Sequence, residues 1–130
     1  MSRREDPYES IASFIRKYIS SVGQLEVLLN VYWGRPTGFS PDKVALLLST
    51  NRALALRHLV QLHHQGLIVV QGKGESQEFL YLASKDENTS TIEKMSELYS
   101  THRIRIIDLI YSQKTDSIRE FAEAFRIRKD

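Results

Sequence analysis

Residues Thr50 to Leu67 read TNRALALRHLVQLHHQGL, and the reading of this stretch decides the fold. Asn51 is a strong helix N-cap, because its side-chain oxygen can accept from a backbone N–H that the first turn leaves free. Gly66 closes the other end, since glycine tolerates the left-handed conformation that helix C-termini commonly require. Between these caps Ala55, Leu59 and Leu62 recur at helical spacing and define a stripe for the core. The opposite side carries Arg57, Gln61 and His64, with Arg52 in the first turn, and the segment contains no acidic residue. Such a helix suits a polyanion reader and equally an ordinary surface helix.

Upstream, Ser40-Pro41-Asp42 opens a shorter helix with Val44, Ala45 and Leu48 on its inner face, and Ser49-Thr50 is the break. Two short helices joined in this way form a helix-turn-helix. Downstream, Ile68-Val69-Val70-Gln71 and Glu78-Phe79-Leu80-Tyr81-Leu82 are β-branched or aromatic runs on either side of Gly72-Lys73-Gly74-Glu75-Ser76-Gln77, which predicts a β-hairpin.

The flanks are helical. Asp6-Pro7-Tyr8-Glu9 combines an N-cap, a proline at the first helical position and a capping-box glutamate, and predicts a helix to about Ser20 with Ile11, Ala12, Ile15, Tyr18 and Ile19 on one stripe. Ser21 caps the next, whose apolar face is Leu25, Leu28, Leu29 and Tyr32, and Gly34 to Gly38 is a loop. Lys85 to Ser90 reads as a polar connector. Ser90-Thr91-Ile92-Glu93 then opens a long helix to about Ser112, with Ile92, Met95, Tyr99, Ile106 and Ile110 near a heptad. Ser117 caps a last helix with Ile118, Phe121, Ala122 and Phe125 inside, before the basic end Arg126-Ile127-Arg128-Lys129. The expectation is a single domain, mainly α with a small β-hairpin wing: an N-terminal helix at 7–20, a winged helix-turn-helix at 21–83 and C-terminal helices at 90–128.

A chain of 130 residues can bury a core without covalent staples, and with no cysteine it has neither disulfides nor thiolate metal or redox sites. The net charge of +2 is small. Basic residues outnumber acids from Met1 to Gln65, and acids outnumber bases from Gly66 to Ser90, an asymmetry that allows nucleic-acid binding without implying it. No apolar run approaches the roughly 20 residues that span a bilayer. The start MSRREDPYES lacks a signal-peptide core, so the expected location is cytoplasmic, with no membrane contact.

No enzyme or cofactor motif is present. His58, His63 and His64 are spaced one, five and six apart, unlike the i, i+4 pairs by which a helix offers zinc ligands, so they read as rim histidines and no metal is expected. Gly72-Lys73-Gly74-Glu75-Ser76 lacks P-loop spacing and precedes a strand, not a helix. No serine or acid stands in a motif that would activate a nucleophile. Tyr8, Phe14, Tyr18, Tyr32 and Trp33 suit core packing better than a ligand pocket.

The order of elements, with Leu59-x-x-Leu62-x-x-x-Gly66-Leu67 followed by a strand and a glycine-bearing tip, resembles a winged helix-turn-helix domain, and in particular the dimeric MarR-type bacterial transcription regulators. The resemblance implies that the 51–65 helix enters the major groove, that the wing touches the DNA backbone or minor groove, and that terminal helices form a two-fold dimer. The implied DNA-facing residues are Asn51, Arg52, Ala53, Leu56, Arg57, Val60, Gln61 and Lys73, with Lys43 for phosphate. The implied dimer residues are Ile11, Ile15, Tyr18, Met95, Tyr99, Ile106, Ile110, Phe121 and Phe125.

Three features depart from that pattern. The tip sets Lys73 against Glu75 and Glu78 where an Asp-x-Arg motif is usual; Leu56 and Val60 replace polar readers; and Leu46 and Leu47 replace charged residues. An apolar side chain left in water forgoes about 1.5–3 kcal/mol relative to burial. The cluster Leu46, Leu47, Leu54, Leu56 and Val60 is therefore expected to be covered, by the C-terminal helices, a second copy or a different protein. Two functions follow: a regulator that reads double-stranded DNA, or a winged-helix module that binds a second protein through the Leu46, Leu47, Leu56 and Val60 face.

Overall fold

The computed structural model describes residues 7–83 and 86–113. Its elements run α1 (Pro7–Tyr18), α2 (Val22–Trp33), α3 (Pro41–Leu47), α4 (Arg52–His64), β1 (Val69–Gln71), a 3₁₀ turn at Gly74–Ser76, β2 (Glu78–Leu80) and α5 (Glu87–Thr101). A further helical segment, α6, occupies 103–113. The chain is thus mainly helical with one small antiparallel hairpin, registered Val69 to Leu80, Val70 to Phe79 and Gln71 to Glu78. No described helix is long and apolar enough to cross a membrane.

The helix starts follow the side-chain caps. Ser21 Oγ accepts from Gln24 N at 3.1 Å, Ser40 Oγ from Lys43 N at 3.1 Å and Asn51 Oδ1 from Leu54 N at 2.8 Å. At the far end of α4, Gly66 sits at φ +79°, with Gly66 N donating to His63 O at 2.9 Å and Leu67 N to Leu62 O at 3.1 Å. These two bonds make a Schellman motif, completed by the buried pair Leu62 and Leu67. The α3–α4 turn repeats the device with a non-glycine residue: Ser49 takes φ +54°, while Thr50 N donates to Ala45 O at 2.9 Å.

One apolar cluster joins all the helices. Ile11 and Ile15 of α1, the inner face of α2, Ala55, Leu59 and Leu62 of α4, Phe79 of β2, Ile92 and Met95 of α5, and Ile106 and Ile110 of α6 are all buried in it. α4 packs against both α3 and α2, and α1 packs against α5. Phe39, between the Gly34–Gly38 loop and α3, flanks the hairpin as an isolated bridge: Phe39 and Phe79 exchange backbone hydrogen bonds of 2.8 and 2.9 Å.

Several boundaries differ from the sequence expectation. α1 stops at Tyr18, short of Ser20, because Gln24 Nε2 and Gln65 Nε2 each donate to the Tyr18 carbonyl at 2.9 Å. α5 starts at Glu87, before Ser90, because Asp86 Oδ1 is already placed to accept from Thr89 N at 3.0 Å. The long helix is also broken at His102, whose φ of −131° leaves the helical region, so α5 and α6 are two pieces. The expected cap Asp6 and the expected last helix from Ser117 lie outside the described residues.

Gln24 is fully buried and all its amide atoms are engaged: Oε1 accepts from Ser20 N and Ser20 Oγ at 2.9 Å, and Nε2 donates to Tyr18 O at 2.9 Å and Gln65 Oε1 at 3.2 Å. Replacing it by Leu strands these partners, at a cost of about 1–3 kcal/mol. Urea unfolding of Gln24→Leu followed by circular dichroism should show a free energy of unfolding lower by that amount, and with it a lower midpoint; an unchanged midpoint would contradict the role of this amide.

Candidate nucleic-acid interface

α4 presents its outward side through residues at helical spacing. Ala53, Leu56, Arg57, Val60, Gln61 and His64 line one shallow, open groove along it. Five of these are residues that the sequence reading assigned to DNA; His64, seven residues after Arg57 and on the same stripe, was noted on that face and left out of the assignment. Two rows run along the groove. Ala53, Leu56 and Val60 form an apolar row, with Leu56 and Val60 packed partly against the core, and Arg57, Gln61 and His64 form a polar row beside it. Arg57 is exposed and makes no ion pair or hydrogen bond with any described residue.

The other assigned residues are differently engaged. Asn51 spends its side-chain oxygen on the cap. Arg52 Nε lies 3.3 Å from Asp42 Oδ1, so its charge is partly neutralised in the fold. Lys43 holds its Nζ 4.5 Å from the centre of the Phe39 ring, an arrangement that leaves the ammonium at the surface. Lys73 is exposed at the hairpin tip, where its carbonyl accepts from Ser76 N at 3.1 Å and Ser76 Oγ at 2.8 Å. Glu75 in the tip and Glu78 at its base outnumber that lysine. Gly72, at φ +83°, makes the tight tip, since a Cβ there would lie 2.6 Å from Ser76 O.

The leucine cluster is only half covered. Leu56 and Val60 pack on the core, but Leu46 is 83% and Leu47 52% exposed, and Leu54 also faces solvent, so the described residues do not fold over them. The stripe expected at a dimer interface faces inward in the single chain. Ile11, Ile15, Met95, Tyr99, Ile106 and Ile110 are buried within one chain, and Tyr18 is packed against the same core. The heptad-like spacing runs along the seam between α1, α5 and α6 of a single copy. Phe121 and Phe125 lie outside the described residues.

The histidines are tied into the fold in separate ways. His63 Nδ1 is 3.2 Å from Ile68 O and its ring meets Phe79 edge-on at 6.5 Å, which fixes the start of the wing to α4. His58 points back toward α2, where Gly23 makes room for it: a Cβ on Gly23 would stand 3.0 Å from His58 Nε2. Of the aromatic set, Phe14 and Tyr32 are core residues, Tyr8 and Tyr18 pack partly on it, and Trp33 is exposed.

The sequence matches no protein-family model and no curated protein. Solved structures do match. MepR, a transcription regulator of the Staphylococcus aureus multidrug efflux pump MepA, superposes with a TM-score of 0.54 at 9% identity, over 95% of this chain and 90% of that one. A mutant of MepR bound to an oligodeoxyribonucleotide gives 0.53 at 9% identity over the same shares. The transcriptional regulator Tm0710 from Thermotoga maritima gives 0.52 at 13% identity, over 92% of this chain and 83% of that one. The fold is a winged helix and resembles those of these regulators. In this winged helix α3 and α4 are the helix-turn-helix, α4 stands at the recognition-helix position, and the β1–β2 hairpin is the wing.

Burial, and next the charge of Arg57, holds the His58 imidazole below its ordinary pKa of 6.5. The fold accommodates the neutral ring, so the stability that depends on it is complete above pH 6.5 and is lost as the pH falls through the lower folded value. The urea midpoint of the wild type should therefore drop more between pH 7 and pH 5 than that of His58→Asn. Parallel profiles for the two proteins would remove His58 as the cause.

Proposed function

We propose that the protein is a DNA-binding transcription regulator that docks α4 into the major groove of duplex DNA. The observation that carries this reading is the outward side of α4: an acid-free helix at the recognition position, with Arg57 unpaired among the described residues and Gln61 and His64 beside it. Guanidinium can chelate the O6 and N7 edge of guanine or pair with a phosphate, and a glutamine amide can bond the N6 and N7 edge of adenine. Lys43 and Lys73 supply further cations for phosphate. The oligonucleotide-bound MepR mutant is consistent with this use of the fold.

The test is fluorescence anisotropy of a pooled genomic duplex over a salt series, on wild type, Arg57→Ala and Arg52→Ala. Binding should weaken linearly in log salt, and loss of one phosphate contact should make the slope shallower by about 0.9. Arg57→Ala should weaken binding more than Arg52→Ala, because Asp42 already engages Arg52. Absence of binding at low salt would overturn the reading and leave the exposed Leu46 and Leu47 as the basis for a protein-docking module.

The same reading carries a homodimer, with two recognition helices on one operator. Since the inward stripe is used within the chain, the contact falls to outward residues of the C-terminal helices, where Ile104 is 74% and Tyr111 56% exposed. Light scattering should give twice the mass of the chain, and Ile104→Glu should shift the population toward monomer. A wild-type monomer at high micromolar concentration would count against the dimer.

A further inference from the structure

We propose that the α4 face selects its DNA by the 5-methyl groups of thymine, read by the apolar row Leu56 and Val60 with Ala53 at its head. The inference rests on the DNA-binding reading and adds a class of target to it: sites in which thymines lie in the major groove beside purines addressed by Arg57 and Gln61.

The argument begins from what a major groove offers. Its base edges are donors and acceptors, with one apolar exception, the C5-methyl of thymine. An aliphatic side chain placed against a phosphate or an acceptor edge gains nothing and strips water from it. Placed against a thymine methyl, it removes apolar surface from water on both partners. Half of the groove-lining side chains of α4 are aliphatic, and they are gathered in one row with the polar ones in another. That segregation matches an A·T pair, whose methyl and purine edge sit side by side across the groove floor.

The row is also firm. Leu56 and Val60 are packed on the core by one side and open to the groove by the other, so little side-chain freedom is lost on binding. They are four residues apart, about 6 Å along the helix axis, which is close to two base-pair steps of about 3.4 Å. Charge favours nucleic acid over an apolar protein surface as the occupant. α4 has no acid, and Arg57 lines the same groove without a partner among the described residues.

The test changes the DNA and leaves the fold alone. Duplexes enriched by the full chain from a random pool are re-synthesised with uracil in place of thymine, which removes the methyl groups and preserves pairing and charge. Each contacted thymine replaced should weaken binding about four-fold, the factor for one methyl-sized group leaving an apolar contact, with an unchanged salt slope. Val60→Ala should bind thymine and uracil duplexes with a smaller ratio at one position, and Leu56→Ala should do so at another. Equal affinity for the two duplexes would overturn methyl reading while leaving DNA binding intact. Failure of the pool to enrich, with no binding at low salt, would overturn both and assign the apolar row to a protein partner.

Discussion

The amide of Gln24 is the constraint on which the placement of the helix-turn-helix depends. A side-chain amide buried without partners would cost several kcal/mol, so its position is tolerated only because each atom is satisfied. Its bonds join the first turn of α2, where Gln24 stands, to two other places: the end of α1 at Tyr18 with Ser20 just beyond it, and the C-cap of α4 at Gln65. Gln65 returns a second bond to the Tyr18 carbonyl. The end of α4 is thereby held against the N-terminal helices by directional bonds, while Ala55, Leu59 and Leu62 hold its length by packing that has no preferred register. Hydrogen bonds fix where α4 ends, and burial keeps it there.

A second polar tie does the same for the C-terminal helices. Glu26 Oε2 accepts from Tyr99 Oη and Arg103 Nη2, both at 2.9 Å, across the break at His102. Burial first, and then the neighbouring Glu26, pushes the Tyr99 hydroxyl up to about 12, so it remains a donor at any physiological pH. Arg103 is more than half exposed, and its ion pair contributes little by itself. Its value is geometric: α5 and α6 are both tied to one carboxylate of α2, so the two pieces pack as a unit although their backbone is not one helix.

Most of the fold was legible because its boundaries are set by local chemistry. Asn51, Ser40 and Ser21 cap their own helices with their own side chains, and Gly66 adopts the conformation that only its lack of a Cβ makes easy. These are short-range rules that a sequence carries openly. What it concealed was long-range. Gln24 looks like a surface residue until Gln65, forty-one positions away, is brought beside it. The Phe39 bridge exists only once the hairpin has folded next to it. Periodicity marked Met95, Tyr99, Ile106 and Ile110 as buried, but it cannot say whether the covering surface belongs to the same chain or another. In the same way the sequence showed five of the six residues on the α4 groove, and could not show that Arg52 would be drawn to Asp42.

That last pairing bears on how the interface can work. A winged helix that relied on phosphate attraction would concentrate unpaired cations on α4 and the wing, because each neutralised phosphate releases counterions and adds to the salt-sensitive part of the affinity. Here Arg52 is compensated by Asp42, and the wing tip opposes Lys73 with Glu75 and Glu78. On the proposed reading, the sequence-independent attraction of one copy for DNA is therefore small. On the proposed DNA-binding reading, affinity comes from contacts with base edges, where Arg57, Gln61 and the apolar row stand, and from a second recognition helix on the same site. A weak electrostatic background is an advantage for such a reader, since non-specific DNA competes through the phosphate contacts alone. On that reading the unusual leucines and the weak wing are two sides of one arrangement, in which binding energy is shifted from the backbone, which is the same everywhere, to the bases, which are not.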